Sequence, residues 1–262
     1  MNKYENLISS IKNLGRVAIA YSGGCDSDFL LHVCVNTLGK ENVFPILVKG
    51  EMMSKEDLEE AIEELNAFDH EIIEIDVFSI PEFEWNDKKR CYFCKKNIMS
   101  QIKNVASLHG FANVCDGQNA DDQHMYRPGQ AACQELGILS PLAKANLSKE
   151  EIRAYSKELG LKTHAKPANA CLASRFDYGT HLTKEKLKRV EKAEDILHSF
   201  CIFHVRLRDM GNTARIECEP KDFEKVIVNR EQIAKQIKQL GYLYVTLDLC
   251  GIVSGGFDQN GK

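Results

Sequence analysis

The chain has 262 residues, 44% of them hydrophobic and 27% charged, with a formal net charge of −4, enough for a real core in one large domain or a large plus a small one. The negative balance speaks against a general nucleic-acid binder, no apolar run approaches a membrane span, and Met1-Asn2-Lys3-Tyr4-Glu5 has no signal-peptide character. Ten cysteines without an export signal predict a cytoplasmic protein whose thiols serve as ligands or reagents and not as disulfides.

In chain order, strands are predicted at 16–21, 42–48, 70–77 and 112–116, with helices between them at 28–38, 55–67 and 95–109. Leu58, Ala61, Ile62 and Leu65 form the buried stripe of the second helix. This alternation predicts an α/β fold, a doubly wound parallel sheet with helices on both faces and ligands at the carboxyl ends of its strands. A further helix starts at Ser148, with Glu151 completing a capping box, and ends near Gly160. After residue 180 the character changes. A helix at 184–200 carries Leu187, Val190, Ala193, Leu197 and Phe200 at helical spacing. Strands at 203–208 and 213–218, a helix at 221–239 and a strand at 242–249 follow. The expected organisation is a nucleotide domain at 1–180 and a small α+β domain at 181–262 for substrate binding or oligomerisation.

The junction of the first strand and helix reads Ser22-Gly23-Gly24-Cys25-Asp26-Ser27. Such a turn aims free backbone N–H groups and the positive end of a helix dipole at one point, which suits a phosphate. Glycines let the backbone approach the anion, and two hydroxyls add donors. A Walker loop would need a lysine here, and there is none. The pattern Ser-Gly-Gly-x-Asp-Ser resembles the PP-loop of N-type ATP pyrophosphatases, which split ATP between the α and β phosphates.

Asp116-Gly117-Gln118-Asn119-Ala120-Asp121-Asp122 follows the strand at 112–116. Its groups are placed to meet Mg²⁺ and nucleotide, or else form an Asx turn. Cys91-Tyr92-Phe93-Cys94 is a C-x-x-C, open to redox, zinc or iron–sulfur chemistry, and Cys171 stands far off in the chain. Three thiolates leave a zinc site one ligand short, to be filled by His164 or His181, whereas on a [4Fe–4S] cluster they leave one iron open. Cys25, Cys34, Cys115, Cys133, Cys201, Cys218 and Cys250 read mostly as core residues. In the strand at 203–208, Phe203, Val205 and Leu207 alternate with His204, Arg206 and Arg208. Residues two apart lie about 7 Å from each other, so the two arginines form either a solvated face or a grip on one phosphate or two carboxylates. Arg215 and Glu217 share a face of the next strand. Glu194 lies beside the apolar stripe of its helix and by pattern alone is solvated.

With these segments the chain resembles the LarE-type ATP-dependent sulfur transferases. The resemblance is carried by 22–27, 116–122, Tyr126-Arg127-Pro128-Gly129, the block 166–175 ending Ala170-Cys171-Leu172-Ala173-Ser174-Arg175 with Tyr178-Gly179-Thr180, and Tyr244-Val245-Thr246-Leu247-Asp248-Leu249. It implies an adenine nucleotide alpha hydrolase-like fold and use of ATP and Mg²⁺. It also implies sulfur insertion into a pyridinium dicarboxylate mononucleotide during nickel-pincer cofactor synthesis, by a homo-oligomer with no nucleic-acid or membrane partner. It makes Ser22, Gly23, Gly24, Asp26, Ser27, Asp116, Gly117, Asn119 and Asp122 ATP-site residues. Asp26, Cys171, Ser174, Arg175 and Glu194 become catalytic, and Arg206, Arg208 and Arg215 substrate-binding. Cys91, Cys94 and Cys171 fit the kind of family member thought to carry a [4Fe–4S] cluster, the sulfide donor being unknown. Other members sacrifice one cysteine sulfur. Val253 stands where the family pattern has arginine. A tRNA thiolase also joins a PP-loop to three cysteines, but this chain has neither a zinc ribbon nor a basic segment. A nucleotide-binding protein with structural zinc is the reading from a different class.

Overall fold

The computed structural model describes residues 2–124, 128–167 and 170–253. Tyr126 and Arg127, Ala168 and Asn169, and the tail from 254 lie outside the described residues. The chain divides into two compact units, Met1–Ile80 with Lys89–Asn169, and Pro81–Lys88 with Ala170–Lys262. Pro81–Lys88 joins the second unit through specific bonds. The Asn86 side-chain amide donates to the carbonyls of Phe176 (3.0 Å) and Asp177 (2.8 Å), and the Gly179 N–H donates to the Asn86 carbonyl.

The first unit runs α1 (Lys3–Lys12), β1 (Val17–Tyr21), α2 (Cys25–Leu38), β2 (Val43–Lys49), α3 (Lys55–Leu65), β3 (Glu71–Glu74), α5 (Arg90–Leu108), β4 (Asn113–Cys115), α6 (Pro128–Glu135), α7 (Pro141–Lys144) and α8 (Lys149–Glu158). The short α4 (Pro81–Glu84) belongs to the second unit. Helix α1 was not among the predicted elements, although Asn2 and Glu5 form a complete capping box. The strands make a four-stranded parallel sheet in the order β3-β2-β1-β4. All of β1 is buried, as a central strand covered on both faces must be. Val17, Ile19 and Tyr21 join one core with Leu7, Phe29, Leu30, Leu65 and Ile152 from the helices. Ala18 and Ala20 face the other way, toward the side on which α5 packs. Each fully buried large side chain contributes about 1.5–3 kcal/mol.

The strand order fixes the site. From β1 the chain builds outward through β2 and β3, then returns to lay β4 on the other side of β1. The order therefore reverses at the carboxyl end of β1, where ligands bind in open parallel sheets.

The second unit contains α9 (Lys184–Ser199), β5 (Val205–Met210), β6 (Thr213–Cys218), α10 (Phe223–Val228), α11 (Arg230–Gln239) and β7 (Tyr244–Leu247). Strands β5 and β6 are antiparallel, and β6 and β7 parallel. Helix α9 packs Leu187, Val190, Ala193 and Leu197 against β5, and α11 packs on α9 and β7. The single helix predicted at 221–239 is broken, because Asn229 caps α10 and starts α11. The last strand, Tyr244–Leu247, is shorter than the predicted 242–249. Leu243 and Leu249 lie outside it and are exposed, because the ladder with β6 runs only from Tyr244 to Leu247.

Candidate active site

Helix α2 begins inside the predicted loop, at Cys25, with Gly24 as an N-cap whose position carries no side-chain capping bond. The N–H groups of a 14-residue helix start are therefore left for a ligand. Gly23 has φ of +69°, and a Cβ there would stand 2.6 Å from Ala61 Cβ, so only glycine fits. Ser27 Oγ ties the loop together. It donates to the Gly24 carbonyl at 3.0 Å, accepts from the Ser22 N–H at 3.2 Å, and lies 3.0 Å from Ser22 Oγ.

The 116–122 segment closes over this turn. A Cβ on Gly117 would lie 2.8 Å from the Ser27 backbone nitrogen, so glycine permits the two segments to touch. Asn119 and Asp122 exchange reciprocal bonds, each backbone N–H donating to the other's side chain. The Asn119 amide also donates to Asp26 Oδ2 at 3.3 Å. Asp116 is buried and accepts from Ser140 Oγ at 2.7 Å and from the Gln118 N–H. All the expected ATP-site residues thus gather at one sheet end. The sequence reading missed Lys149, whose Nζ lies 2.7 Å from Asp26 Oδ1 and whose N–H donates to Asp121. The missing loop lysine was a signal to look for one at another helix start.

Behind the loop, Asp28 is buried and accepts from Thr163 Oγ1 at 2.6 Å and Tyr21 at 3.2 Å. Arg153 donates to the carbonyls of His164 and Lys166, and Lys166 pairs with Asp57 and Glu60. These bonds hold the chain that leads into the 166–175 block.

In the second unit, Glu194 is 7% exposed and not solvated. Arg175 grips it with two prongs, Nε to Oε1 at 2.8 Å and Nη2 to Oε2 at 3.0 Å, and Glu194 also accepts the Leu207 N–H. The partner that buries this carboxylate is far away in sequence, so the helical pattern could not show it. Arg208 is 2% exposed, with Nε donating to Glu217 at 2.9 Å and Nη1 to the Ser174 carbonyl. Arg215 bridges Glu217 at 3.0 Å and lies 3.6 Å from Asp248. The ladder sets Arg206 opposite Glu217 on this same polar face. The Arg206 side chain makes no hydrogen bond or ion pair among the described residues. Burial, then the like charges of Arg175 and Arg208, lowers its pKa from the usual guanidinium value. An anion on Arg206 would relieve that repulsion.

Helix α5 starts earlier than predicted, which puts Cys91 (exposed) and Cys94 (half-buried) one turn apart on its first face. They belong to the first unit, and the half-buried Cys171 to the second. Cys25, Cys34, Cys115, Cys133 and Cys218 are buried, as a core reading requires, whereas Cys201 and Cys250 are exposed. Burial raises the thiol pKa of Cys34, and raises Cys115 and Cys133 to about 12. Among the described residues no group of three or more His, Cys, Asp or Glu side chains is placed to hold a metal ion, and the predicted set of Cys91, Cys94 and Cys171 is not such a group. Val253 is 37% exposed. No helix of the described residues is long and apolar enough to cross a membrane.

Residues 5–116 match the family model described as NAD synthase. An uncharacterized protein of Synechocystis is 39% identical over 258 residues, covering 97% of this chain and 96% of its own. The pyridinium-3,5-bisthiocarboxylic acid mononucleotide synthase of Lactiplantibacillus plantarum is 35% identical over 256 residues, 97% of this chain and 92% of its own. Argininosuccinate synthase of Pyrococcus furiosus is 25% identical over 166 residues, 56% of this chain and 39% of its own.

Proposed function

The chain belongs to the LarE-like family of PP-loop ATP pyrophosphatases, and on that footing we propose that it converts a carboxylate of a pyridinium-3,5-dicarboxylate mononucleotide into a thiocarboxylate, a step in nickel-pincer nucleotide synthesis. The observation that carries the reading is the glycine-capped start of α2, ringed by Ser22, Ser27, Asp26 and the 116–122 segment, in a chain similar along almost its whole length to a synthase of that product class.

The β and γ phosphates of ATP bind Ser22, Gly23, Gly24 and Ser27. Asp26 with Asp116 or Asp122 fits Mg²⁺, since this ion usually takes only one or two carboxylates and completes its shell with phosphate oxygens and water. The substrate carboxylate attacks the α-phosphorus, the bond to the pyrophosphate oxygen breaks, and an acyl-AMP anhydride remains. Preorganised N–H groups and cations supply most of the acceleration. Arg206 takes an anionic group of the substrate, and Glu194 with Arg175 holds the Ser174 turn beside Cys171. Sulfide then replaces AMP at the acyl carbon. Cys91, Cys94 and Cys171 suit a [4Fe–4S] cluster by donor chemistry, as thiols outside the core whose spacing includes a C-x-x-C, a feature that the exposed Cys201 and Cys250 lack. Held by these thiols, a cluster would supply the sulfide.

The test is anaerobic turnover with Mg-ATP and the pyridinium dicarboxylate mononucleotide. One AMP and one pyrophosphate per thiocarboxylate are expected, with iron and sulfide in the purified protein. ADP and phosphate as products would overturn the ATP chemistry. Stoichiometric zinc without iron would overturn the cluster. Metal-free protein lighter by the mass of H₂S after turnover would identify a sacrificed cysteine.

A further inference from the structure

Trp85 is the chain's one tryptophan and is 56% exposed, although tryptophan is highly buried on average. The segment that carries it is held rigidly. Its neighbour Asn86 is fully buried at φ of +47°, bonded to the Phe176 and Asp177 carbonyls, and the Glu84 carbonyl accepts the Leu182 N–H at 2.7 Å. The exposure is therefore a property of a fixed scaffold and not of a loose loop. The indole lies 4.6 Å from the His181 ring at an angle of 44°, and His181 Nε2 lies 3.1 Å from Glu84 Oε1. An aromatic face, an imidazole and a carboxylate thus meet at one end of the 174–182 segment. The other end of that segment carries the anion site, where Arg208 donates to the Ser174 carbonyl and Arg175 grips Glu194.

We infer that Trp85, with His181 and Glu84 beside it, stacks a cationic aromatic ring of the N-alkylpyridinium class. Indole is the strongest cation–π partner among the side chains, and an electron-poor ring with a fixed positive charge exploits it. The Glu84 carboxylate adds attraction that a neutral base such as adenine would not gain. The inference rests on the proposed substrate and deepens it, by giving the charged ring its own residue apart from the arginines that take its anionic groups.

Intrinsic fluorescence reports this site directly, because Trp85 is the sole indole. Titration with 1-methylpyridinium-3,5-dicarboxylate is expected to give saturable quenching, and pyridine-3,5-dicarboxylate to bind about threefold or more weakly. E84Q is expected to weaken the pyridinium about threefold. W85L is expected to raise KM for the mononucleotide about tenfold and leave KM for ATP unchanged, with W85F recovering most of the loss. Linear, non-saturating quenching by both probes overturns the inference, as does a wild-type KM in W85L. Saturable quenching in a protein that forms no AMP from the mononucleotide upholds the ring site and overturns the proposed substrate. AMP and pyrophosphate formed at wild-type KM by W85L do the reverse.

Discussion

Lys149 Nζ stands 2.7 Å from Asp26 Oδ1, so the cation absent from the nucleotide loop is delivered to it by the first turn of α8. Ser148 fixes that turn by a complete capping box, and the Lys149 N–H is bonded to Asp121. Lys149→Met should therefore lower kcat/KM for ATP by about 10- to 100-fold, the worth of a charge-assisted bond. Pyrophosphate release measures this, and an unchanged rate would reduce Lys149 to a surface partner of Asp26.

Gly117→Ala and Gly23→Ala separate two consequences of close approach. At Gly117 the added methyl meets backbone of the nucleotide loop, so KM for ATP should rise about tenfold or more as the loop shifts. At Gly23 it meets Ala61 in the core at a left-handed φ, so the fold should lose about 1–3 kcal/mol. ATP kinetics and urea unfolding on both variants test the contrast.

Arg206 and Arg208 should part company under mutation, although both point from one strand face. Arg206→Ala removes a guanidinium with no ion pair among the described residues, and should raise substrate KM about tenfold with little change in Tm. Arg208→Ala leaves the buried Glu217 carboxylate with Arg215 as its one remaining ion-pair partner among the described residues and removes the donor to the Ser174 carbonyl, and should cost about 1.5–3 kcal/mol of stability. Equal and purely kinetic effects from both would contradict this division.

Alkylation at pH 8 should rank the thiols by burial. Cys91, Cys201 and Cys250 should react first in metal-free protein, whereas Cys34 and Cys115 should stay unmodified until unfolding, because burial pushes both thiols up. Reconstitution with iron and sulfide should protect Cys91, Cys94 and Cys171 together. Peptide mass spectrometry reads both steps, and protection confined to Cys91 and Cys94 would remove Cys171 from the ligand set.

The sequence by itself determined the nucleotide half of this protein. Strand, Ser-Gly-Gly-x-Asp-Ser turn and helix are contiguous, so Val17–Tyr21, the loop and α2 could be read from local pattern alone. The same holds for the capping box at Ser148 and for the apolar stripe of α9. What only the tertiary structure decided are the pairings between residues distant in the chain. Glu194 reads as solvated until Arg175 and the Leu207 N–H are brought to it, and Arg208 reads as a free grip until Glu217 neutralises it. Lys149 reads as the start of an ordinary helix until the sheet carries it to Asp26. Burial of charge depends on partners that periodicity along one element cannot supply. The desolvation cost is met only when opposite charge arrives from another element, and that encounter exists only in the fold.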